Sequence, residues 1–241
     1  MLFIMHYLKV TLPTVWALLY TTSALAKTNV LTGGTIIAYD EATKLPKVIR
    51  GGTLVLENDR VSQILEQSST NGTFSNSSDT EVIDCTDKII TPGFIDTHRH
   101  GWQTVYKTMA SNTTLGEYFS RLSAFVSQPY FTPEDVYISQ KVGILEALNA
   151  GTTTILDHAH HTWTREHAAA GYNGTVDSGA RVYFAYTFQN VSGFSVQDQL
   201  SHWRELNALN ASSLTTLVMS YDDFSANTYG KDTQDMVKLA L

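Results

Sequence analysis

Between residues 28 and 90 the apolar positions come in short runs separated by turn residues: NVLTGGTIIAYD, RGGTLVLENDRVSQILE and EVIDCTDKII. Runs of this kind, rich in β-branched residues and bounded by Gly, Asn and Asp, predict strands. Asn58-Asp59 between two of them predicts a tight hairpin, since both residues tolerate the positive φ such turns need, and the strands are expected to pair antiparallel. SSTNGTFSNSSDT, residues 68–80, is polar and reads as an exposed loop. Past Pro92 the rhythm changes. TPGFIDTH predicts a strand, and TLGEYFSRLSAFVSQ predicts a helix from the spacing of its apolar residues. FTPEDVYISQKVGILEALNAG predicts a second helix, with Thr132 as N-cap, Pro133 at the first helical position, Asp135 in the first turn and Gly151 as its stop. GTTTILDHAH predicts a strand up to Asp157, RVYFAYTF another at 181–188 and LTTLVMSY another at 214–221. VQDQLSHWRELNAL reads as a helix, and a last helical piece begins at about Asp232.

Strand-helix alternation argues for parallel βα units, of which the region from residue 91 onward holds four. A closed (β/α)8 barrel takes roughly 250 residues, so residues 91–241 suit either a smaller open sheet or half a barrel.

The first 26 residues, MLFIMHYLKVTLPTVWALLYTTSALA, are apolar around Lys9, break at Pro13 and end in Ala24-Leu25-Ala26. That is the form of a signal peptide with a small-residue cleavage site, and Pro13 with Thr21-Thr22-Ser23 leaves too short an apolar run for a comfortable membrane span. Asn71, Asn76, Asn112, Asn173, Asn190 and Asn210 all stand in Asn-x-Ser/Thr, which agrees with a secreted glycoprotein. The single cysteine, Cys85, excludes an internal disulfide and reads as buried filler. A net charge of -7 with scattered Lys and Arg leaves no basic face for nucleic acid.

The chemistry concentrates in GFIDTHRHGWQT, residues 93–104. In a strand, side chains two apart share a face, so His98 and His100 project together with Asp96 one step back. Such a pair at the C-terminal end of a parallel strand can place two imidazoles on one metal ion; the plainer alternative is two surface histidines just past a strand. Asp157, His158, His160 and His161 form a second cluster at the end of the next strand. His158 and His160 share a face by alternation, which suits either pocket lining or a structural histidine bonded to Asp157. His167, in an expected loop, and His202, on an expected surface helix, call for no function.

TPGFIDTHRHGWQT closely resembles the first-strand signature of the amidohydrolase superfamily, the metal-dependent hydrolases that include cytosine deaminase, guanine deaminase and triazine hydrolases. VIDCTDKIITPGFIDTH resembles the passage from that family's small β-sandwich into its barrel, and GTTTILDHAH its second strand. The resemblance extends over most of residues 28–220 as strand order, and is sharply specific only over 91–104. It implies an α/β fold, the N-terminal part of a (β/α)8 TIM-type barrel of about four βα units, preceded by a small β-sandwich. The expected divisions are a signal peptide at 1–26, the sandwich at 27–90 and the first half of the barrel at 91–241.

The same resemblance makes His98 and His100 ligands to one divalent metal, zinc or iron, and turns Trp102 and Gln103 toward substrate, with loop packing as their plainer alternative; His158 and His160, by alternation, would line the pocket opposite the first pair. It implies attack by activated water on an amino-heterocycle or a cyclic amide, cleaving a non-peptide C-N bond by deamination or ring hydrolysis. LTTLVMSYDDF lacks the lysine that bridges two metals in some relatives, which points to the single-metal, deaminase-like branch; Asp222 and Asp223 read as pocket residues or, more simply, a helix N-cap. The family's later ligands and its catalytic acid and aspartate come from strands five to eight, which are not in this sequence. The chain is therefore expected to be an N-terminal portion, prone to self-association through open strand edges, with a non-catalytic half-barrel as the alternative.

Overall fold

A computed structural model describes residues 27–66 and 74–222, with Gln234 and Lys238 beyond them. The expected signal peptide, residues 67–73 of the polar loop, Asp223 and most of the last helical piece lie outside the described residues. The chain divides into two compact units, Met1–Pro92 and Gly93–Leu241.

In the first unit, β1 (Thr28–Asp40), β2 (Leu45–Glu57), β3 (Arg60–Leu65), β4 (Thr80–Asp84) and β5 (Ile89–Ile90) form one mixed sheet. Its order is β3-β2-β1-β4, with β5 beside the second half of β1. β1, β2 and β3 are antiparallel, and the β2-β3 turn carries Asn58 at φ 56° as expected. β4 and β5 correct the antiparallel expectation, since both run parallel to β1. The connection after Leu65 is long enough to return the chain to the start of β1 before β4 begins. β1 changes register around Gly34, where a Cβ would lie 3.0 Å from Ile90 and 3.1 Å from Cys85. That close approach lets one long strand pair with β4 along one half and β5 along the other. Cys85 is buried beneath it, in line with a filler role.

The second unit carries β6 (Phe94–Arg99), β7 (Thr152–Ala159), β8 (Val182–Phe188) and β9 (Thr215–Tyr221) as a parallel sheet in sequential order. Between the strands run a 3-10 turn at Gly101–Tyr106, α1 (Leu115–Arg121), α2 (Ala124–Ser127), α3 (Pro133–Asn149), α4 (Arg165–Asp177) and α5 (Val196–Leu209). Alternation decides the two faces of β7. Ile155, Asp157 and Ala159 are fully buried on one side, while Leu156 and His158 lie on the other. β8 contributes Phe184, Tyr186 and Phe188 to a core completed by Tyr172 of α4 and Leu200 and Leu206 of α5. α3 opens with the predicted capping box, Thr132 and Asp135 bonding each other's backbone amides, with Pro133 in the first turn. It packs closely on α4, where a Cβ on Gly174 would stand 2.7 Å from the Tyr137 carbonyl.

The single helix expected over 114–128 is two, broken at Leu122-Ser123. The Leu122 carbonyl accepts from Gln103 Nε2 and Ser127 Oγ, and Ser123 takes an extended ψ of 161°. His167 lies in the first turn of α4 rather than in a loop, with Nε2 2.9 Å from the Phe131 carbonyl. His202 is buried on α5 rather than on a surface, with the Tyr186 hydroxyl 3.2 Å from its Nδ1. Among the described residues no helix is long and apolar enough to cross a membrane.

Candidate metal centre

β6 ends at Arg99, and its alternation brings His98 and His100 side by side with ring centroids 4.9 Å apart. His98 is exposed and its amide donates to Asp96 Oδ1 at 3.2 Å. His100 is half-buried, with Nδ1 2.9 Å from the His158 carbonyl oxygen. A carbonyl only accepts, so Nδ1 carries the proton and Nε2 keeps its lone pair. Burial, more than the neighbouring His158 and His98, pushes the His100 pKa down, and the neutral ring is the form that binds a metal.

The backbone just past His100 is held from β7 and α3. Asp157, fully buried, accepts the Gly101 amide on Oδ1 at 2.6 Å and Gln140 Nε2 on Oδ2 at 2.6 Å. Burial pushes its carboxyl up to about 6, against the opposing pull of those two donors. Gln140 also donates to Thr175 Oγ1 at 2.9 Å, which ties α3 to α4 at the same point. Asp157 therefore does not bond His158, as the sequence suggested: adjacent strand residues face opposite ways.

His158 turns to the histidine side of the sheet, its ring 5.4 Å from His98 and 5.3 Å from His100. Its Nε2 lies 2.8 Å from Asp222 Oδ2 and its Nδ1 3.1 Å from Ser220 Oγ. Asp222 thus faces the site. His160 stacks on His100 at 4.0 Å and accepts a hydrogen bond on Nδ1 from the Trp102 indole at 3.1 Å. Burial holds His160 neutral, so its Nε2 is the protonated nitrogen. Trp102 takes the packing alternative rather than a place toward substrate. It is wholly buried among Val136, Phe131 and Trp163, because the segment after β6 is a packed 3-10 turn rather than an open loop. Gln103 donates to the Leu122 carbonyl and accepts from Tyr118, so its amide is committed to the fold.

Two cavities adjoin these histidines. His98, His100 and Gln103 line an open cleft of about 500 Å³ together with Asp96 and Lys107. Beside it lies a cavity of about 450 Å³ walled by Tyr118, Phe119, Phe125 and Phe188, with His160 and Asp222 as polar points. The structure thus brings His98, His100, His158 and His160 together and sets Trp102 behind them. His161 points away, fully buried against Phe184 and Trp102. Among the described residues no group of three or more His, Cys, Asp or Glu is arranged to hold a metal ion. The donor set is a pair of imidazoles, suited to a borderline divalent ion such as zinc and short of the three protein ligands usual in catalytic zinc sites.

The amidohydrolase family pattern matches residues 89–227. The chain is 33% identical over 132 residues to a 5-methylthioadenosine/S-adenosylhomocysteine deaminase of Caldicellulosiruptor saccharolyticus, covering 54% of this chain and 28% of that protein. It resembles the structure of guanine deaminase from C. acetobutylicum with bound guanine, at a TM-score of 0.64 and 14% identity over 81% of this chain and 46% of that one. It also resembles an adenosine deaminase from Xanthomonas campestris with bound zinc, at 0.64 and 15% identity over 80% and 42%. At such identities the two structures speak for the fold alone. They make the four parallel units barrel-type α/β architecture. The chain spans under a third of its deaminase relative and under half of each solved chain.

Proposed function

The chain belongs to the amidohydrolase family, and from that premise we propose that it carries the first metal-ligand pair and part of the substrate cavity of a deaminase acting on amino-heterocycles. The observation that carries this reading is the pair itself: His98 and His100 side by side, with the His100 tautomer fixed by the His158 carbonyl so that Nε2 is free. A divalent metal, zinc by analogy with the solved neighbour, supplies water activated as a nucleophile at neutral pH. His98 and His100 hold that ion, and His158 is steadied beside them by Asp222 and Ser220.

The neighbouring cavity has the volume and aromatic walls to take a flat heterocycle, with the His160 Nε2-H as a donor toward a ring nitrogen or exocyclic oxygen. Deamination is preferred to ring hydrolysis because the relative at 33% identity bears a deaminase name. Remaining ligands and the proton-transfer groups are assigned to parts of the whole protein beyond the described residues. A secretory location stays with this proposal on the strength of the leader-like N-terminus; Asn76, Asn112 and Asn210 are exposed, as glycan acceptors must be.

The test is metal content of the purified chain by plasma mass spectrometry, against a His98→Ala/His100→Ala variant. Near one equivalent of zinc or iron, lost in the variant, is expected. Equal metal in both proteins sinks the assignment.

A further inference from the structure

β7 reaches His100 twice within two residues. The Asp157 carboxylate takes the Gly101 amide at 2.6 Å, and the His158 carbonyl takes His100 Nδ1 at 2.9 Å. The first contact is braced from behind, since Gln140, itself fully buried, donates to Asp157 and to Thr175 Oγ1. The turn it grips has no slack. A Cβ on Gly101 would lie 2.9 Å from Gln140 Oε1, and one on Gly143 would lie 2.2 Å from the Gly101 carbonyl. Arg99 closes the same junction by donating to the Gly143 carbonyl at 3.2 Å. An apolar residue would fill the Asp157 position without desolvating a carboxyl, so packing alone gives no reason for an acid there. What only an acceptor can do is hold the Gly101 N-H in place.

We propose that Asp157, braced by Gln140, is a positioning residue for the metal pair: by fixing the Gly101 amide it keeps the His100 ring on the His158 carbonyl, with Nε2 left as the free donor nitrogen. The role of His100 as a ligand rests on the preceding proposal; the aiming of its ring does not.

The test compares Asp157→Val, Asp157→Asn and Gln140→Leu with the unaltered chain, under conditions where circular dichroism shows each to be folded. Two quantities are read: the zinc dissociation constant, by competition with a chelating dye, and the His100 ring tautomer in metal-free protein, by long-range proton-nitrogen NMR. Asp157→Val is expected to weaken zinc binding by about 10- to 100-fold, the range seen when the outer partners of metal ligands are lost. It should also turn His100 from a pure Nδ1-H form into a mixture. Asp157→Asn should keep both properties, because its Oδ1 still accepts from Gly101 and the unpaired Gln140 Oε1, turned over, accepts its amide. Gln140→Leu leaves the carboxylate but removes its brace, so a smaller shift in the same direction is expected; it decides the matter if Asp157→Val does not fold. A folded Asp157→Val with the wild-type His100 tautomer overturns the proposal. Zinc bound equally by the chain and by His98→Ala/His100→Ala overturns the metal reading instead, since the tautomer is read without metal.

Discussion

Acid should loosen the second unit through His161. Its side chain is fully buried between Trp102 and Phe184, and it lies so close to α4 that a Cβ on Gly171 would stand 2.0 Å from its Cε1. Among the described residues neither ring nitrogen has a hydrogen-bond partner. Burial, with a smaller contribution from His167, pushes its pKa from 6.5 to about 3. The unfolded chain therefore takes up a proton near 6.5 that the folded chain refuses until about 3. Stability from this group is full above 6.5 and falls as pH drops through that interval. At pH 5 the unfolded group is about 1.5 units below its pKa, which at about 1.36 kcal/mol per unit gives a loss of about 2 kcal/mol.

His161→Leu removes the proton site and both unpaired nitrogens at similar volume, so its stability at pH 7.5 should match or slightly exceed that of the parent. Urea unfolding followed by tryptophan fluorescence at pH 7.5 and pH 5, on both proteins, measures the effect. The difference between them should change by about 2 kcal/mol across that step. His100, His160 and His202, whose pKa values burial also lowers, cancel in the comparison. An identical pH dependence in the two proteins would refute the assignment of acid sensitivity to His161.

Gly143→Ala should cost about 1–3 kcal/mol by overpacking, since its Cβ would meet the Gly101 carbonyl at 2.2 Å, and the same variant should weaken zinc binding; urea midpoints and dye competition report the two effects. Thr132→Ala removes the capping box of α3 and should cost about 1 kcal/mol in thermal unfolding while leaving zinc affinity unchanged. Asn210 closes α5 in the left-handed region at φ 43°, so Asn210→Ala should lower stability by about 1 kcal/mol and Asn210→Gly should not. Trp102→Phe keeps an aromatic ring in the core but removes the donor to His160, so NMR should find the His160 proton shared between its two nitrogens.

The histidine pair was legible because a strand repeats every two residues and HxH needs nothing else to share a face. Thr132, Pro133 and Gly151 likewise marked the ends of α3 through local backbone chemistry. Asp157 was read toward the wrong partner, although the rule that pairs His98 with His100 also turns Asp157 and His158 apart. Gln140 carries a signal of its own: it sits on one helical face with Val136, Gly143, Ile144 and Ala147, and a glutamine on an apolar face implies a buried polar partner. Asp222 extends the alternation of Val218 and Ser220, which aims it at His158. Other features had no local signal. The break at Leu122 depends on donors from Gln103 and Ser127, and the burial of Trp102 depends on α3 and on Trp163, 61 residues further on. Long-range contacts of this kind are set by tertiary packing.

Every group that orients His100 lies between β6 and Thr175 of α4: the Gly101 amide, the Gln140 brace, the Asp157 carboxylate and the His158 carbonyl. The His158 ring takes contacts from later in the chain, at Ser220 and Asp222, and the His160 carbonyl takes one from Gln189. The contacts that aim His100 span 56 and 58 residues and need only β6, α3, β7 and α4, so they do not depend on β9. An ion held by the pair would therefore stabilise the folded unit by mass action, so metal would bear on its stability as well as on its chemistry.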